Sequence, residues 1–202
     1  HGTGVSNKVV VQIEGRLLNE GFQLIVPHRP GYYGTPLRIR KTPQAAAELY
    51  AALLDHLGHE EVNVVGTSGG GPSSICFAQI FPEKVKRLVL QCPVAHHWSD
   101  PEWMPAPDRW SFPYIKRSWL RQMMFPLYRY LARKNGGNRE RWLPRIAGER
   151  LSEAKEDLET LSLAKILMAA SLDALRNPAG MQNDIDLFCR DAWMEPEKIE
   201  FP

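Results

Sequence analysis

Val62-Asn-Val-Val-Gly-Thr-Ser-Gly-Gly-Gly-Pro72 decides how this chain is read. Val62 to Val65 predicts a short strand that Gly66 ends, and helix-like sequence resumes after the glycines and runs to Phe81, where Pro82 stops it. Between them Gly66-Thr67-Ser68-Gly69-Gly70 fits the pattern G-x-S-x-G in the strand–turn–helix setting that gives the pattern meaning. A turn this tight holds the serine in a strained backbone conformation, and side chains at Gly66 and Gly70 would strike the adjoining chain. The hydroxyl then stands clear of the sheet at a helix N-terminus, where the dipole favours developing negative charge. No lysine follows the glycines, so a phosphate-binding P-loop is excluded. The spacing also fails the dinucleotide fingerprint G-x-G-x-x-G.

The pattern extends outward from this corner. Upstream, apolar residues at Val9, Ile13 and Leu17 predict a helix over 5–20 that Gly21 stops, and Phe22 to Val26 predicts a buried strand ended by Pro27. Arg29-Pro-Gly-Tyr-Tyr-Gly34 is loop by its glycine and proline content. Thr42 as N-cap, Pro43 at the first helical position and Gly58 as stop frame a helix carrying Ala46, Leu49, Leu53 and Leu57. Downstream, 85–90 predicts a further strand. Residues 1–92 thus alternate helix and strand, which argues for a parallel sheet covered by helices on both faces. Beyond Pro93 the character changes. Residues 96–113 are rich in Pro, Trp and Asp, and 115–176 reads as helices alone, with Pro126 expected to kink or break the first. Ser152 is expected to cap a helix there, Gly136-Gly137-Asn138 to form a turn, and 181–193 to form a last helix.

Composition narrows the class without naming it. Of 202 residues, 44% are hydrophobic and 24% charged, as in an ordinary globular chain. A formal charge of +2 gives no argument for nucleic acid. No apolar run is long enough to span a bilayer. Cys76, Cys92 and Cys189 are odd in number and scattered, which predicts free thiols, no zinc site, and a cytoplasmic setting. Residues 116–150 hold ten Lys or Arg and two Glu, a net of +8, read as a solvated helix face or as a surface for an acidic substrate or anionic lipid.

A serine hydroxyl is a weak nucleophile alone. It needs a histidine base, a carboxylate to orient the base, and two N–H donors for the oxyanion. HG at His1-Gly2, RPGYYG at 29–34 and GTSGGG at 66–71, in that order and followed by a strand, resemble the α/β-hydrolase superfamily. The resemblance implies a partial α/β-hydrolase fold: a core over 1–95, an all-helical cap over 96–178, and a helix over 179–202 returning to the core. It implies Ser68 as nucleophile, the backbone N–H groups of Thr3 and Gly69 as oxyanion hole, Gly66 and Gly70 as the glycines of the elbow, and no cofactor. His1 would shape the loop without being the base. His28 departs from the family, where Asp commonly stands, and Thr35 replaces a common Ser.

In the family the acid and then the histidine follow the nucleophile. After Ser68 the chain offers His96 and His97, with Glu83 between, and no triad in that order can be drawn. The acid and base are therefore expected outside this sequence, the 202 residues are expected to be a segment of a longer protein, and alone they should fold poorly and show little activity. Asp100 is a displaced-acid candidate. His96 and His97 lack further ligands at metal spacing. Trp98, Trp103, Trp110, Trp119 and Trp142 would pack the cap or wall the pocket. Cys92 is expected to be a small buried hydrophobe. The expected activity is carboxylic ester hydrolysis through an acyl-enzyme on a small ester or acyl substrate. Peptidase, thioesterase and C–C hydrolase chemistry use the same parts, and a catalytically silent receptor or scaffold is the reading from another class.

Overall fold

In the computed structural model the described residues are 1–38, 41–95, 117–134 and 178–189, with isolated positions 152, 157, 162, 163, 166 and 170. Thr42 accepts a hydrogen bond from the Ala45 N–H at 3.2 Å, Pro43 occupies the first turn, and Gly58 ends the helix at φ +74°, so α3 runs Pro43–Leu57 between the signals its sequence carries. Strand β1 (Val62–Thr67) leads through a single 3₁₀ turn at Ser68–Gly70 into α4 (Gly71–Ile80), and a second 3₁₀ turn at Pro82–Lys84 leads into β2 (Val85–Gln91).

The two strands pair in parallel, setting Val64 beside Leu88 and Val65 beside Val89. Since side chains alternate across a strand, the first pair faces the core and the second does not. Val64 and Leu88 pack on Phe77, Cys76, Ala78 and Val85 with Ala47, Ala51 and Leu54 of α3. Val65 and Val89 remain 42% and 47% exposed. Among the described residues, α4 and α3 thus form the cover of one sheet face, whereas the alternation of elements predicted cover on both.

Four predicted features differ. Residues 22–26 form no strand: a strand exists only with a ladder partner, and the sheet of described residues contains β1 and β2 alone. Ile25 still packs against the core, while Phe22 is exposed. The helix expected over 5–20 is two, α1 (Asn7–Glu14) and α2 (Arg16–Asn19), joined at Gly15, where a Cβ would lie 2.5 Å from the Val11 carbonyl oxygen. Pro126 does not interrupt α5, which runs Ser118–Lys134. A proline inside a helix removes one ladder bond and crowds one carbonyl, a cost this helix absorbs. Helix α6 spans Ala179–Phe188, beginning earlier than the predicted 181–193, of which 190–193 lie outside the described residues.

Candidate active site

Ser68 has φ +50°, a left-handed conformation that a residue with a Cβ adopts only under constraint. The constraint is visible on every side. A Cβ on Gly66 would lie 2.7 Å from the Ser74 Cβ, and one on Gly70 would lie 2.7 Å from the His1 carbonyl oxygen. The elbow's first glycine thus makes room for a side chain of α4, and its last for main chain. Ser73 and Ser74 donate their hydroxyls to the Gly70 carbonyl at 3.1 and 3.0 Å, tying down the first turn of α4. Past β2 the chain returns to the corner: the Val94 N–H donates to the Ser68 carbonyl at 3.0 Å, and Pro93 lies against Gly71. Ser68 itself is only partly buried.

The loop His1–Gly4 lies against this corner. A Cβ on Gly2 would sit 3.3 Å from the Ser68 Cβ and 3.8 Å from its Oγ, so only glycine permits the approach without displacement. A Cβ on Gly69 would lie 3.1 Å from the Thr3 nitrogen. The structure therefore gathers Ser68, Thr3, Gly69, Gly66 and Gly70 at one place. The His1 ring braces the loop. Its Nε2 accepts the Arg29 N–H at 3.0 Å, which leaves the ring proton on Nδ1, 3.0 Å from the Gly2 carbonyl oxygen. The ring also meets Tyr32 edge-on at 5.1 Å.

Beneath the loop is a polar cluster that sequence reasoning missed. Arg29, Tyr32 and Asp184 are 7%, 2% and 4% exposed. The Arg29 guanidinium donates to both oxygens of the Asp184 carboxylate, Nη1 at 2.9 Å and Nη2 at 2.6 Å, the bidentate geometry that makes such pairs strong. The Tyr32 and Thr3 hydroxyls each donate to Oδ2 at 2.6 Å. Burial alone would lower the pKa of Arg29, but Asp184 outweighs it and holds the guanidinium above its ordinary range. Burial first, then the Asp184 charge, raises Tyr32 far above a free phenol. A small cavity of about 30 Å³ opens here, bounded by Arg29, Gly69, Ser73, Asn183, Asp184 and Phe188 among others. It reaches Gly69 but not Ser68, so it is not the pocket expected over the nucleophile.

His28, standing where Asp was the family expectation, stacks on Tyr33 at 4.7 Å, and burial lowers its pKa. Its Nε2 is buried without a hydrogen-bond partner. Cys92 is exposed at φ +45°, correcting its expected burial; the main chain must turn sharply there to bring Pro93 and Val94 back to the elbow. Cys76 is the buried thiol, pushed up to about 11 by desolvation. Arg121, counted with the basic helical face, is also buried and pairs with Asp186. Trp119 is exposed on α5. His96, His97, Trp98, Asp100, Trp103, Trp110 and Trp142 lie outside the described residues. Of Arg129, Arg133 and Lys134 only the backbone is described.

Comparison with known proteins places these features in context. The family model for the alpha/beta hydrolase fold matches residues 2–121. A solved structure, an alpha/beta hydrolase fold protein from Nakamurella multipartita, is similar with a TM-score of 0.70 and 29% identity, covering 100% of this chain and 70% of that one. An uncharacterized hydrolase of Bacillus subtilis (strain 168), YcgS, is 45% identical over 86 residues, 43% of this chain and 30% of the relative. A homoserine O-acetyltransferase of Thermus thermophilus is 43% identical over 74 residues, 35% of this chain and 18% of the relative. The chain thus covers less than a third of the length of these curated relatives.

Proposed function

Because the chain belongs to the α/β-hydrolase fold family, we propose that it carries the nucleophile of a serine hydrolase working through an acyl-enzyme, with a carboxylic ester as substrate. The observation that carries this reading is Ser68 at φ +50° on a strand-to-helix corner, with Gly2 packed against its Cβ. A constrained left-handed serine is costly to stability, and the corner has no structural need for a hydroxyl at that point.

In this reading the Ser68 Oγ attacks the ester carbonyl and its proton passes to a base. The N–H groups of Thr3 and Gly69 receive the oxyanion. The ester C–O bond breaks, the alcohol leaves with a proton, and water then hydrolyses the acyl-serine. The base and orienting acid are assigned to no residue of this sequence. The chain leaves β2 beside the elbow through the Val94–Ser68 hydrogen bond, and α5 follows it in sequence, which supports the proposal that the segment after β2 roofs the site. The names of the relatives include a hydrolase and an acetyltransferase; the second passes an acyl group to a hydroxyl other than water's. Peptidase, thioesterase and C–C hydrolase activity remain within the same chemistry. Among the described residues, no helix is long and apolar enough to cross a membrane.

A fluorophosphonate probe on the full-length protein tests the nucleophile. Labelling that Ser68→Ala abolishes is the expected result. A folded protein that takes no label is instead a receptor or scaffold. Turnover of p-nitrophenyl esters, compared with thioester and peptide analogues, then fixes the bond cleaved.

A further inference from the structure

The Asp184 carboxylate takes no part in the scheme above, yet four hydrogen bonds converge on it, two from Arg29 and one each from Tyr32 and Thr3. We propose that Asp184 is a positioning residue for the oxyanion loop, fixing Thr3 so that its main-chain N–H faces the same point as that of Gly69. This rests on the proposed serine chemistry and adds to it the device that keeps the second donor in place.

An oxyanion donor is useful only if its peptide plane is prevented from rotating, because a flipped peptide presents a carbonyl where an N–H is needed. Each group of the loop that could allow rotation is held. The carbonyl of the Gly2–Thr3 peptide faces His1 Nδ1 at 3.0 Å, and in a trans peptide this sends the Thr3 N–H the opposite way. The next peptide's N–H, that of Gly4, points to the Tyr32 hydroxyl at 3.4 Å. Between them the Thr3 hydroxyl donates to Asp184 at 2.6 Å, which fixes χ1 of a side chain already stiff from β-branching. That side chain is pressed between the carboxylate and Gly69, where even a methyl group would come within 2.0 Å of the Thr3 Oγ1.

The other ends of these tethers also meet at Asp184. The Tyr32 hydroxyl that receives Gly4 donates its own proton to Oδ2, and the Arg29 whose N–H holds the His1 ring pairs with both carboxylate oxygens. Asp184 is itself anchored. The Gly180 N–H donates to the Gly31 carbonyl at 2.9 Å, and Asp186, on the same helix, pairs with Arg121 of α5. A hydroxyl donating to a buried charged acceptor is a strong tether, and its removal releases the loop without touching Ser68.

The test compares Thr3→Val, Thr3→Ser, Asp184→Asn and the double variant Thr3→Val/Asp184→Asn in the full-length protein, by ester turnover and by amide hydrogen exchange of residues 2–4. Loss of a whole oxyanion donor lowers kcat about 10²–10³-fold, and a misaimed donor should cost about 10-fold or more, with KM changing less than about threefold. Thr3→Ser should recover most of the kcat that Thr3→Val loses, since it restores the hydroxyl. The double variant should be no slower than Asp184→Asn, because both changes cut one tether. Exchange at Thr3 and Gly4 should quicken in Thr3→Val and in Asp184→Asn. Unchanged kcat and exchange in Thr3→Val, or losses that multiply in the double variant, overturn the proposal. If Asp184→Asn does not fold, the contrast of Thr3→Val with Thr3→Ser decides alone. A wild-type protein without turnover but with Asp184-dependent exchange protection sinks the serine-hydrolase reading and leaves the tether standing; exchange that ignores Asp184 sinks the tether whatever the activity.

Discussion

At the scale of single residues, function and stability pull in opposite directions at Ser68. A serine at φ +50° bears the steric cost of a Cβ in the left-handed region, and glycine bears none. Ser68→Gly should therefore raise the unfolding free energy by about 1 kcal/mol, read from denaturant midpoints, while erasing fluorophosphonate labelling. A Ser68→Gly protein no more stable than wild type would mean that the corner is not strained by its serine. The glycines around it differ in what they spare. Gly2 lets the loop reach Ser68, Gly69 gives way to Thr3, and Gly66 gives way to Ser74. G-x-S-x-G announces the corner itself, but nothing in the neighbouring sequence foretells that the distant Thr3 fills the space over Gly69.

Elements follow their own local signals where these are strong. Helix α3 begins and ends where Thr42, Pro43 and Gly58 direct, since capping is settled within one turn of chain. Thr42→Ala should cost about 1 kcal/mol, measured by chemical denaturation, with Thr42→Ser keeping most of the cap. Elements whose existence depends on a neighbour are harder to read. Residues 22–26 have a strand's composition, but without a ladder partner among the described residues they are not one. Helix α6 carries a usable signal of its own. Asp184 shares the buried face with Gly180, Leu187 and Phe188, at spacings of four, three and four residues. A carboxylate on the apolar stripe of a helix is costly unless paired, so its position alone implied a buried cation and hydrogen-bond donors. The sequence could not say that they would be Arg29, Tyr32 and Thr3.

Across the whole molecule the buried polar cluster sets the response to pH. Tyr32 of this cluster and the half-buried Tyr50 of α3 are both raised above the ordinary phenol value of 10.0, chiefly by burial, so the fold favours their neutral forms. Their contribution is complete below about pH 10 and is lost above it, as the phenols of the unfolded chain ionise first. His28 has the opposite sense. Burial lowers it from 6.5, so the unfolded chain takes up the proton first as pH falls. Stability should decline below about pH 6.5 and level off once folded His28 is protonated too. Denaturant midpoints of the full-length protein from about pH 5 to about pH 11 should show both slopes, the acid one weakened in His28→Gln and the alkaline one weakened in Tyr32→Phe. An acid limb unchanged by His28→Gln would assign that slope to other groups.

Local chemistry determined the corner at Ser68 and the caps of α3, because each is signalled by residues a few positions apart and by the reach of a glycine or a proline, while the strand–helix–strand alternation over 62–91 determined the parallel pairing. Tertiary structure alone decided what holds the candidate oxyanion loop. The Asp184 carboxylate meets Thr3, Arg29 and Tyr32 across 152 to 181 residues of sequence, and no periodicity or motif encodes a partner that distant. Such a cluster forms only when folding removes water from all its members at once, so that each buried charge or hydroxyl finds its partner in the others.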